Sequence, residues 1–79
     1  MTDSTMLRTW VARKGYKLKA VAARLGITPY TLQKKMKNQS EFKASEIAAF
    51  VTDLGMTLDE RDQIFFTNEV ESQSTFIER

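Results

Sequence analysis

Three times in this 79-residue chain an apolar residue is followed five positions later by another, with a candidate helix start between them. The pairs are Tyr16 with Val21, Ile27 with Leu32, and Phe42 with Ile47. If Lys17, Thr28 and Lys43 are the N-caps, each pair falls at the position before the cap and the fourth helical position. That is the hydrophobic staple, which fixes the angle at which the chain enters a helix. Three such entries in so short a chain commit it to a bundle of short helices. Strand-type alternation is nearly absent, so the expected class is all-α.

The remaining punctuation agrees. A first helix is expected over about 4–14, with Leu7, Trp10 and Val11 inward and Gly15 ending it. A second spans about 18–25 on Leu18, Val21, Ala22 and Leu25, and Gly26 stops it. A third opens at Thr28-Pro29, an N-cap followed by proline at the first helical position, and runs to about residue 37. Leu32 and Met36 form its buried stripe, and Asn38 closes it in the left-handed conformation. A fourth covers about 44–54 on Ile47, Phe50, Val51 and Leu54, before Gly55. Thr57-Leu58-Asp59-Glu60 is a capping box that opens a fifth, through Ile64 to Phe66. Trp10, Tyr16, Phe42 and Phe50 are expected in the core. Residues 67–79 are a polar, acidic tail, expected to fray or to be ordered only against a partner.

Charge divides the chain. Residues 1–43 carry ten Lys and Arg against Asp3 and Glu41, whereas residues 44–79 carry Arg61 and Arg79 against eight acids. The halves differ so sharply that a polyanion-facing surface with an acidic back is implied. The chain has no histidine and no cysteine, which removes disulfides, thiolate zinc sites and every catalytic arrangement built on imidazole or thiol. Neither a Gly-rich phosphate loop nor a paired-carboxylate cleft is legible, and Asp59, Glu60 and Asp62 suit a helix first turn better than a cation site. An enzyme is not expected, nor is any cofactor or metal. The apolar runs are too short to span a membrane, and the first residues lack a basic leader and an apolar core. A cytoplasmic location is the expectation.

Residues 18–37, LKAVAARLGITPYTLQKKMK, carry the functional signal. Ala22 permits close helix–helix approach, Gly26 makes the sharp turn, Ile27 plugs it and Leu32 anchors the following helix. With RKGYKLKAVAARLGIT, TLQKKMKNQSEF, EIAAFVTDLGMT and the IFF ending, the chain from Leu7 to Phe66 resembles the phage Cro/repressor-type (XRE-like) helix-turn-helix family. The resemblance implies a five-helix, lambda-repressor-like domain over residues 1–66, from a bacterial or phage-infected cell. It also implies double-stranded DNA as partner, with the third helix in the major groove and the second crossing the backbone.

Carried over by position, Pro29, Tyr30 and Lys34 would face base edges. Lys34 could donate to guanine, and Tyr30 could stack or touch a thymine methyl. Flanking and phosphate contacts would fall to Lys17, Lys19, Thr28, Thr31, Gln33, Lys35, Lys37, Asn38 and Lys43. The chain departs from the family at Lys17 and Lys43, where Ser or Thr is common. A lysine cannot accept a hydrogen bond there, and its charge opposes the positive helix end, an arrangement that makes sense against a phosphate. Val11 and Met36 stand where some members bury an ion pair, and here they simply pack.

Met56, Phe65, Phe66, Phe76 and Ile77 exceed what a small domain is expected to bury. They are read as a contact surface for a homodimer or for a repressor-type protein. The sequence therefore supports two functions. One is a transcriptional regulator that occludes a promoter; the other is an antirepressor or modulator that binds a repressor through the same fold.

Overall fold

A computed structural model describes residues 1–66. Five α-helices follow one another: α1 Ser4–Lys14, α2 Leu18–Leu25, α3 Pro29–Met36, α4 Ala44–Thr52 and α5 Leu58–Phe65. No strand occurs among the described residues. The domain is all-helical, as the staples require, and their caps fall at Lys17, Thr28 and Lys43. No helix among these residues is long and apolar enough to cross a membrane.

Local chemistry sets the helix ends. Asp3 caps α1 by accepting from the Met6 amide at 3.0 Å, and Thr28 caps α3 by accepting from Thr31 at 3.1 Å. The capping box at α5 is reciprocal: Glu60 Oε1 accepts from the Thr57 amide at 2.9 Å, and Thr57 Oγ1 accepts from the Glu60 amide at 3.1 Å. The fourth helix stops at Thr52, two residues earlier than the apolar pattern suggests. Leu54 is nonetheless buried, and its carbonyl accepts from the Tyr16 hydroxyl at 2.9 Å. That carbonyl is satisfied by tertiary contact, so the side-chain pattern outlasts the helix.

One core gathers residues from all five helices and the connections between them. Leu7, Leu32 and Phe50 have no exposed surface, and Val21, Ala22, Met36 and Ile64 complete the centre. Phe50 is the hub of the aromatic cluster, with ring centroids 5.9 Å from Trp10, 5.8 Å from Phe42 and 5.4 Å from Phe65. The edge-on approaches to Trp10 and Phe42 are the geometry that aromatic quadrupoles favour. The Trp10 indole also donates to Glu60 Oε1 at 3.0 Å, which ties α1 to α5.

The structure corrects the expected contact surface. Met56 and Phe65 are buried at 2% and 5% exposure, so neither is available to a partner. Met56 follows Gly55, which takes a positive φ of 81° and turns the chain back beneath Phe50, whose carbonyl accepts from the Met56 amide at 3.0 Å. Phe65 lies on the inner face of α5, where its ring meets Phe42 at 5.2 Å. Phe66 is half-buried. Phe76 and Ile77 lie outside the described residues.

Candidate nucleic-acid interface

The turn between α2 and α3 is three residues long, Gly26 to Thr28. Gly26 takes φ 75°, a left-handed conformation that a Cβ would strain. The Ile27 amide then closes on the Ala22 carbonyl at 3.0 Å, and Ala22 is 1% exposed beneath the neighbouring helix. With α2 and α3 packed together, one face of α3 is fixed inward and the other outward.

Leu32, Lys35 and Met36 form the inward stripe. Pro29, Tyr30, Gln33 and Lys37 are exposed, while Thr31 and Lys34 are half-buried. Tyr30 is 72% exposed at the leading tip of the helix. The Lys34 ammonium lies 5.5 Å from the Tyr30 ring centroid, within cation–π reach, so these two base-facing candidates form one unit. Lys17, Lys19 and Lys43 are exposed as well. Lys17 caps α2 with no side-chain hydrogen bond, so that helix start lacks a capping acceptor of its own among the described residues.

Three of the expected flanking residues are placed differently. Lys35 does not face solvent or a phosphate: it is 6% exposed, and its Nζ donates to Glu46 Oε1 at 2.6 Å and Oε2 at 2.8 Å. It sits three residues after Leu32 and one before Met36, on the stripe that must point inward. Asn38 keeps its left-handed backbone, with φ 63°, but its side chain is engaged within the protein. Its Oδ1 accepts from the Thr2 amide at 3.1 Å, and its Nδ2 donates to the Thr2 carbonyl at 2.8 Å and to Ser4 Oγ at 3.2 Å. Asn38 thus fastens the N-terminal segment to the end of α3, where the Ser4 hydroxyl also donates to the Met36 carbonyl. The third is Lys43, whose backbone N–H is taken by Glu46 Oε1 at 2.8 Å. Only its exposed ammonium remains for an anion.

The Lys35–Glu46 pair is the feature that the sequence reading missed. Burial pushes the Glu46 carboxyl up, but the hydrogen bonds from Lys35 and the Lys43 amide, with the charges of both lysines, outweigh it. The net effect holds Glu46 below its ordinary value of 4.5. The pair locks α3 to the first turn of α4. Its signal in the sequence was the Leu32, Lys35, Met36 spacing, combined with a lone acid at the third position of α4.

Val11 and Met36 pack in the core, at 5% and 4% exposure, as expected. Beside α3, Arg8, Tyr16, Leu18, Gln33 and Lys37 rim an open groove whose floor includes Val11 and Met36. Its two charged groups are both cationic. The chain matches no protein-family model, no curated protein and no solved structure.

Proposed function

We propose that this domain binds double-stranded DNA in a sequence-dependent manner and regulates transcription by occluding a promoter. In this reading α3 enters the major groove and α2 lies across the phosphate backbone, as the resemblance to the Cro/repressor-type helix-turn-helix family implies. The observation that carries it is the division of α3. Its inner face is anchored by Leu32, Met36 and the Lys35–Glu46 pair, and its outer face offers Tyr30, Gln33, Lys34 and Lys37 within the basic half of the chain. A helix held rigidly on one side, with donors and an aromatic ring on the other, is what base readout requires.

The test is selection of bound duplexes from a random pool at near-physiological salt. Enrichment of a defined site is the expected result, and a palindromic site would add that two copies bind together. Failure to enrich any sequence, with no mobility shift on long duplex DNA, would overturn the reading. One observation favours the antirepressor alternative: Pro29 and the highly exposed Tyr30 form an apolar tip on α3. A repressor-type protein captured by the wild-type domain and lost on Tyr30→Ala, in the absence of DNA binding, would support it.

Two substitutions separate the roles of the lysines. Lys34→Ala is expected to relax preference at one base pair of each half-site, worth about 1–3 kcal/mol of discrimination. Lys17→Ala is expected to weaken all duplexes by a similar factor and to flatten the log-affinity against log-salt slope by about 1. Binding titrations at several salt concentrations, on the selected site and on random DNA, check both. Parent-like behaviour of both variants would remove the basic half as a DNA surface.

A further inference from the structure

The face of the domain formed by α4 and α5 carries an apolar groove lined by Phe42, Ile47, Ala48, Val51 and Phe66, with Arg61 at its edge. Ile47, Val51 and Phe66 are only half-buried there, although each packs against the core. The Arg61 guanidinium sits 5.4 Å from the Phe66 ring centroid and donates to Asp62 at 2.8 Å. Other grooves among the described residues are lined by more charged groups, Arg8 and Lys37 in one and Arg13, Lys14 and Glu60 in another.

We infer that the groove is the seat of the chain's own C-terminal segment, with Phe76 and Ile77 as the inserted pair. Thirteen residues follow Phe66, and Phe66 itself lines the groove, so the segment starts at the site it would fill. Within it the only adjacent apolar residues are Phe76 and Ile77, and the connector Thr67 to Thr75 is polar apart from Val70. A nine-residue connector has an r.m.s. reach of roughly 17 Å, enough to double back along a helix of two to three turns. The segment carries Glu69, Glu71 and Glu78 against Arg79, Glu78 follows the apolar pair directly, and Arg61 is the one basic residue lining the groove.

Tethering decides between this chain and a second copy. A short connector presents its own end at an effective concentration on the order of millimolar, which another molecule matches only at very high protein concentration. The seated pair would cover the apolar surface left after Met56 and Phe65 are buried in the core. The inference is independent of whether the domain binds DNA.

Because the chain contains no cysteine, Arg79→Cys gives a single site for a nitroxide on the otherwise intact protein. The expected result is loss of the Ile47 and Val51 methyl signals in the NMR spectrum, unchanged on dilution and restored by adding Phe76→Ser. A mixture of isotope-labelled protein without nitroxide and unlabelled protein with it provides the second arm. Signal loss in that mixture would mean that a second copy fills the groove, and would overturn the inference. Methyl signals that never weaken, or that stay weak after Phe76→Ser, would overturn it as well.

Discussion

Phe50→Ala is expected to lower the stability of the domain by about 3–5 kcal/mol, enough to bring it close to unfolding at room temperature. Phe50 has no exposed surface and contacts three other aromatic rings, from α1, from the segment before α4 and from α5. Removing it opens a cavity at the meeting point of these elements, which backbone relaxation cannot close from any one side. It also removes the edge-to-face contacts with Trp10 and Phe42. A chain of this length commonly has a total stability of only about 4–12 kcal/mol. Denaturant unfolding followed by Trp10 fluorescence is the direct measurement. Leu32→Ala, at another fully buried position, should cost about 2–5 kcal/mol by the same mechanism. A midpoint that scarcely moves in either variant would show that the core is centred elsewhere.

The second large effect is at Glu46. Glu46→Ala leaves the Lys35 ammonium buried without its carboxylate, an uncompensated charge that costs about 3–5 kcal/mol in comparable settings. The lost acceptor for the Lys43 amide adds to this. Lys35→Met combined with Glu46→Leu should recover most of the loss, because an apolar pair of similar volume carries no desolvation penalty. A double-mutant cycle measures the coupling. A cost below about 1 kcal/mol for the single variant would mean that Lys35 escapes to water when its partner is removed.

The pair also has a pH signature. Glu46 and Glu60 are both held below the ordinary value of 4.5, so each binds protons less readily in the folded chain than in the unfolded one. For Glu46 the lysine contacts overcome burial. For Glu60 the largest influence is the Thr57 amide, followed by the Trp10 indole. Their contribution is therefore present above about pH 4.5 and lost as pH falls through the lower folded values. Unfolding free energy measured down this acid range should decline, and Glu46→Gln should decline less steeply than the parent.

What the sequence determined by itself was the succession of helices and the places where each begins. Caps, staples, the Pro29 start and the left-handed Gly26 and Asn38 act within a few residues, through hydrogen bonds and sterics that local spacing already contains. The apolar members of the inward stripes of α1 to α3 were legible for the same reason, since a 3.6-residue period assigns faces without knowledge of the neighbours. Tertiary structure decided what those faces meet. Lys35 had looked like one more surface lysine beside Lys34 and Lys37, until α4 placed Glu46 opposite it. Asn38 had looked available to a ligand, until Thr2 and Ser4 closed on its amide from a different part of the chain. Met56 and Phe65 had looked surplus, because the sequence lists apolar side chains without saying how much volume five packed helices enclose. Burial of a charge or of a last aromatic ring depends on partners distant along the chain, and only packing in three dimensions brings those partners together.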